Sequence, residues 1–127
     1  MKYLIDTDII VSHLRKKKYL EKKFLEKGLG ISIVTLGELL YGAYKSANKR
    51  KSLEKIFDLL EDLSIEILNL NEVIMRIYAE DKSRLEIRGK RLDEFDLLIA
   101  ATAKFYSLVL LTDNVKHFER ISQLRLA

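Results

Sequence analysis

Four short apolar runs, KYLID (2–6), GISIV (30–34), IEILNL (65–70) and LVLL (108–111), are separated by far more chain than a hairpin needs. The segments between them have helical periodicity. TDIIVSHLRKK (7–17) carries Ile9, Ile10 and Leu14, and YLEKKFLEK (19–27) carries Leu20, Phe24 and Leu25 before Gly28. Residues 49–63 place Leu53, Ile56, Phe57, Leu60 and Leu63 at helical spacing. LGELLYGAYKSA (36–47), the charged stretch 71–88, FDLLIAATAKFY (95–106) and VKHFERI (115–121) read as further helices, and LRL (124–126) as a fifth strand. Strands joined through helices need crossover connections. The expected fold is therefore α/β, three layers α/β/α, with a mostly parallel sheet of four to five strands. Residues 1–127 are expected to form one domain.

In such a sheet the ligand site lies outside the carboxyl ends of the strands. Asp6 and Asp8 end the first strand, Thr35 and Glu38 follow the second, and Thr112, Asp113 and Asn114 end the fourth. Each acid has a structural account of its own. Asp6 or Asp8 can cap the first helix. Thr35-Leu-Gly-Glu38 and Asp93-Glu-Phe-Asp96 both have the spacing of a capping box. Asp96 opens the helix before the fourth strand, so it reaches the same edge only if the helix at 71–88 first returns the chain there. Acids brought together at that edge raise one another's pKa and call for a cation. Oxygen ligands without a thiolate suit Mg²⁺ or Mn²⁺.

Composition narrows the alternatives. The chain has no cysteine, which excludes disulfides and thiolate zinc sites. His13 and His117 are far apart and form no HExxH pattern, so a histidine zinc site is not expected. No GxxxxGK[ST] or GxGxxG loop is present, and no serine sits in a nucleophile elbow. No apolar run approaches the ~18 residues that span a bilayer, and the N-terminus lacks the pattern of a signal peptide, so a cytoplasmic location is expected. The net charge of +4 is a mild excess that suits a polyanionic partner or a plain soluble surface.

YLIDTDII, ISIVTLGELLYGA, DLLIAATAKFYSLVLLTDNVKHFERI and the closing LRLA, in this order across nearly the whole chain, resemble the PIN-domain family, and most closely its VapC-type toxin branch. The resemblance implies a Mg²⁺- or Mn²⁺-dependent ribonuclease, a cognate VapB-type antitoxin as inhibitor, and a homodimer. It implies that Asp6, Glu38 and Asp96 are the acids of the site. Asp6 and Asp96 would ligate the metal directly, and Glu38 would ligate it through water or orient the attacking water. The fourth position falls at Asn114, with the carboxylate of Asp113 one residue earlier; either can face the ion. Asp8 stands where the family often has Asn and either supports the ligands or caps the helix. Lys45, Lys49, Arg50, Lys51, Arg88, Lys90 and Arg91 are candidates for phosphate contacts, or simply a solvated helix surface.

Two other folds are less compatible. A phosphatase of the HAD type shares the strand followed by Asp-x-Asp, but Asp113 is followed by no second acid until Glu119. A phospho-receiver domain needs an acceptor Asp at the end of the third strand, where ILNLN has none. A solitary RNA-processing nuclease and a catalytically silent RNA- or partner-binding PIN module are the alternatives within the family; intact Asp6, Glu38 and Asp96 count against silence.

Overall fold

Tyr3–Ile5 forms the first strand, β1, and takes a parallel partner on each side. The computed structural model describes residues 1–127. The other strands are β2 (Leu29–Ser32), β3 (Glu66–Leu68) and β4 (Val109–Leu111), all parallel, in the order β3-β2-β1-β4. Tyr3 lies opposite both Leu29 and Val109, and Ile5 lies opposite Leu111. The chain thus builds outward from β1 to β3 on one side and then returns to place β4 on the other. The strand order reverses between β1 and β4, which is where an open α/β sheet leaves a crevice.

Seven helices flank the sheet: α1 (Thr7–Leu14), α2 (Lys22–Leu25), α3 (Ile33–Lys45), α4 (Lys49–Asp62), α5 (Glu72–Ile87), α6 (Glu94–Phe105) and α7 (Val115–Phe118). Successive side chains of a strand point to opposite faces. Leu4 accordingly enters one core with Leu85 of α5, Leu97 and Ala100 of α6 and Phe118 of α7. Ile5 enters the other, with Ile10 of α1, Leu36 and Leu39 of α3 and Ile56 and Leu60 of α4. Full burial of an aliphatic side chain contributes roughly 1.5–3 kcal/mol, so β1, buried on both faces, anchors both layers.

The ends of the elements depart from the periodicity. Ile33 and Val34, β-branched and read as the end of the second strand, are the first residues of α3, because Ser32 caps the helix by accepting from the Val34 N–H at 3.1 Å. Thr35 and Glu38 therefore lie inside the helix and do not form a capping box. Asp93 does cap α6, accepting from the Phe95 N–H at 3.3 Å. The expected helix over 19–27 shrinks to α2, that over 115–121 to α7, and the expected fifth strand to a single parallel bridge between Leu110 and Leu126. Gly28, at φ +87°, ends the α2 region; a Cβ there would also lie 2.9 Å from the Met1 backbone.

α5 and α6 share the most extensive contact of any two elements. It contains a buried ion pair. Lys104 Nζ lies 3.0 Å from each carboxylate oxygen of Asp81, which is 4 % exposed, and Arg84 stands 3.9 Å away. Breaking such a pair leaves a charge buried without compensation. Lys104→Met should therefore lower the unfolding free energy by about 3 kcal/mol, and adding Asp81→Leu should recover most of it. Urea unfolding of the single and double variants checks this; a neutral single variant would show that Arg84 alone satisfies Asp81.

Candidate active site at the β1–β4 switch point

Asp6 follows the last residue of β1, and the pairing of β1 with β4 determines what surrounds it. Its backbone N–H donates to the Leu111 carbonyl at 2.9 Å, continuing the ladder past the strand end. Its side chain has two tasks. Oδ1 caps α1 by accepting from the Thr7 N–H at 2.8 Å, and Oδ2 accepts from the Thr112 hydroxyl at 2.8 Å. Thr112 in turn accepts from the Asn114 N–H at 2.9 Å. One hydroxyl thus ties the end of β1 to the turn after β4.

Glu38 approaches from α3. Its Oε1 accepts from the Thr7 hydroxyl at 2.6 Å. Thr7 Oγ1 also lies 3.0 Å from Thr35 Oγ1. A hydroxyl carries one proton, so with Thr7 donating to Glu38, the Thr35 hydroxyl is the donor in that contact. Thr35 is one helical turn before Glu38 and fully buried. The two threonines therefore hold one oxygen of Glu38 and leave the other without a protein partner.

Asp96, in the first turn of α6, completes the group. Burial pushes its carboxyl up to about 6, reinforced by repulsion from Asp6, Asp93, Glu38 and Asp8. No hydrogen bond offsets this. Burial also raises Asp6, against the Thr112 hydrogen bond and with repulsion from Asp8 and Asp113. Glu38 is raised by burial, opposed by the Thr7 hydrogen bond and reinforced by Asp6, Asp93 and Asp8. Asp6 thus repels both Glu38 and Asp96, and Glu38 repels Asp96. The return of the chain between β3 and β4 does bring Asp96 to the edge that carries Asp6.

The turn after β4 separates its two candidates. Asp113 Oδ1 lies 3.5 Å from Lys18 Nζ, and its side chain is half exposed. Asn114 is the N-cap residue of α7, but its side chain makes no capping bond. Asp8 is exposed in the first turn of α1, where Asp6, not Asp8, is the cap. The basic candidates Lys45, Lys49, Arg50, Lys51, Arg88, Lys90 and Arg91 are exposed, and Arg50 pairs with Glu54 at 3.2 Å. Thr35 as a positioning hydroxyl and Asp93 as an additional negative charge were not visible as site residues in the sequence, where both read as caps; the repetition of Thr-x-x-Glu and Asp-x-x-Asp was the one available signal.

No three acidic or histidine side chains converge closely enough to enclose a metal ion by themselves. Mg²⁺ does not demand that, since it keeps several waters and takes one or two carboxylates. A set of hard oxygens with raised carboxyls and no nearby cation among the hydrogen-bond partners fits such an ion, and Asp6, Glu38 and Asp96 are the carboxylates at this edge that could hold it.

The raised carboxyls have a consequence for metal-free stability. The folded state retains protons that the unfolded chain has released, so the contribution of these groups is most favourable below the ordinary carboxylate range and is lost as pH rises, for Asp96 through about 6. Asp96→Asn should raise the stability of metal-free protein at pH 7.5 by ~1 kcal/mol, a value discounted because the group is only partly buried and solvent screens its charge. Melting curves in EDTA should show a gain of a few degrees and a flatter profile between pH 4 and 7. A lower melting temperature would mean that the charge serves the α6 dipole more than it repels its neighbours.

The profile of the PIN domain matches residues 3–124. A protein of Haemophilus influenzae named ribonuclease VapC2 is 33 % identical over 98 % of this chain and 96 % of its own. One of Shigella flexneri named tRNA(fMet)-specific endonuclease VapC is 30 % identical over 98 % and 96 %. The crystal structure of VapBC2 from Rickettsia felis bound to a DNA fragment from their promoter superposes with a TM-score of 0.91 at 32 % identity, covering 100 % of this chain and 98 % of that one. With its four parallel strands, flanking helices and acids at the β1–β4 switch point, the chain belongs to the PIN-domain family, on the branch of the VapC ribonucleases.

Proposed function

We propose that the protein is a Mg²⁺- or Mn²⁺-dependent endoribonuclease, the toxin of a VapBC-type toxin–antitoxin pair, with residues 1–127 working as one catalytic unit. The observation that carries this reading is the mutual repulsion of Asp6, Glu38 and Asp96, three carboxylates delivered by β1, α3 and α6 to one sheet edge. Raised carboxyls held together in the folded state cost stability unless a cation offsets them. The names of the relatives, ribonuclease VapC2 and tRNA(fMet)-specific endonuclease VapC, support RNA as the substrate. The VapBC2 complex supports a VapB-type antitoxin as partner.

In this reading Asp6 and Asp96 hold the ion. When bound, it supplies charge compensation at the scissile phosphate and activation of water. Thr112 keeps Asp6 in place, with one of its oxygens also tied to the α1 N-terminus. Glu38 orients the attacking water through its free oxygen and accepts its proton, a task that a raised carboxyl suits. Water adds to phosphorus in line with the departing 3′ oxygen, the P–O3′ bond breaks, and a proton passes to that oxygen. The products are a 3′-hydroxyl and a 5′-phosphate. Asn114 occupies the fourth position, with Asp113 turned to Lys18.

Asp6→Asn and Asp96→Asn should each reduce cleavage of RNA in Mg²⁺ or Mn²⁺ by at least ~100-fold while the far-UV spectrum stays unchanged, since either swap removes charge and keeps shape. Wild-type rates in both variants would leave a silent RNA- or partner-binding module as the better account. Asp6→Ala should additionally lose ~1 kcal/mol through the missing helix cap.

The resemblance also points to a homodimer. Tyr41 and Tyr44 on α3 and Phe57 on α4 are large aromatics left 64 %, 58 % and 48 % exposed. Exposed apolar groups of this kind favour a protein partner. Sedimentation at micromolar concentration should give about twice the 14.8 kDa chain mass; a single species at the chain mass would remove the dimer from the proposal.

A further inference from the structure

Beside the acid cluster lies a cavity of about 190 Å³ whose walls include Ile9, Leu111, Tyr19, Lys18 and Asp113. Thr112 lines it as well and donates to Asp6. A group seated in the cavity is therefore one residue away from Asp6. We propose that this cavity is a base subsite that takes a guanine of the RNA beside the scissile phosphate. The proposal rests on the ribonuclease reading and adds to it the base that positions the substrate.

Tyr19 supplies the stacking surface. It is 59 % exposed, and its ring is held edge to face with His13, centroids 5.2 Å apart at 85°. That contact occupies at most one face of the tyrosine ring. His13 is fixed in turn, because its Nδ1 accepts from the Leu20 N–H at 3.0 Å. The loop is anchored at its start too: Lys16 adopts φ 58°, and the Lys17 N–H donates to the Ser12 carbonyl at 2.9 Å. A fixed, solvent-facing aromatic is what an unstacked RNA base uses as a platform.

Lys18 and Asp113 supply the edge recognition. They lie 3.5 Å apart with side chains 67 % and 50 % exposed, so their pairing is weak and opens at little cost. A carboxylate has two acceptor oxygens and no donor. Among the four bases only guanine presents two adjacent N–H donors, N1 and N2, on its Watson–Crick edge, and the neighbouring O6 is an acceptor for an ammonium. The pair thus has the donor and acceptor order that guanine completes. Lys16 and Lys17, exposed and immediately before Lys18 in the chain, are candidates for the neighbouring phosphates.

The test uses the full chain and short labelled single-stranded RNAs that differ at one position: guanine, inosine, which lacks the N2 amino group, or adenine. Binding is read by fluorescence anisotropy in EDTA and cleavage in Mn²⁺. The guanine RNA should bind and be cleaved at least ~10-fold better than the inosine and adenine RNAs. Tyr19→Leu should weaken binding of all three RNAs and raise KM, Tyr19→Phe should bind and cleave as wild type does, and Lys18→Met should reduce the preference for guanine. Equal treatment of the three RNAs by a wild-type protein that cleaves them overturns the subsite and leaves the ribonuclease reading standing. Guanine-selective binding without any cleavage supports the subsite and removes the ribonuclease. Neither binding nor cleavage removes both. A folded Tyr19→Leu that treats RNA as wild type does overturns the subsite, and if it also binds a VapB-type antitoxin more weakly, the cavity belongs to a protein interface.

Discussion

The acidic edge depends on the parallel pairing of β1 with β4. That pairing places Leu111 beside Ile5, so the Asp6 N–H meets the Leu111 carbonyl and the Asp6 carboxylate meets the Thr112 hydroxyl. Because β1 also pairs with β2, the helix that follows β2 starts at the same edge and carries Glu38 into reach of Thr7. Without the reversal of strand order at β1, the ends of β2 and β4 would not flank a common crevice. The site is thus a property of the sheet before it is a property of any acid.

The fold then works against its own electrostatics. Asp6 is 4 % exposed and accepts two hydrogen bonds, from an amide and a hydroxyl. Glu38 accepts one hydroxyl, and Asp96, which has no such compensation, is pushed up to about 6. Compensation comes from neutral donors, which lower a carboxyl's pKa but bring no charge. Threonine suits this role better than lysine or arginine would. A cation of the chain's own at this edge would occupy the place where a divalent ion is proposed to sit. Charge is paired elsewhere: Lys104 with Asp81 inside the α5–α6 contact, and Lys82 with Glu94 at the exposed start of α6.

Much of this was legible in the sequence. Alternating apolar runs and amphipathic segments foretold the parallel α/β sheet, and that topology alone put Asp6 and Glu38 at the carboxyl edge of the strands. The boundaries were not legible where two signals overlapped. Ile33 and Val34 favour strands, yet Ser32 starts a helix one turn before the Thr35–Glu38 spacing that imitates a capping box. Helix ends were obscured for a related reason. Lys16, Ser64 and Ser107 each adopt positive φ where a glycine ordinarily marks a helix terminus, whereas Gly28 and Gly89 give the usual sign. The Lys104–Asp81 pair joins residues 23 positions apart and has no local signature.

The left-handed residues are also what bring the strands in on time. After α4, Ser64 at φ 52° lets the Ile65 N–H reach the Leu60 carbonyl at 2.8 Å, and β3 begins at Glu66. After α6, Ser107 at φ 56° lets the Leu108 N–H reach the Ala103 carbonyl at 2.9 Å, and β4 begins at Val109. The same closure thus releases the last two strands of the sheet from their helices, and the residues that donate these bonds, Ile65 and Leu108, are both buried in the core. A helix that overran by one residue would shift β4 against β1 and turn its side chains to the other face. Thr112 would then no longer face Asp6. The conformational cost of a serine in the left-handed region, about 1 kcal/mol, is thereby tied to the register that keeps a hydroxyl 2.8 Å from the most buried acid of the site.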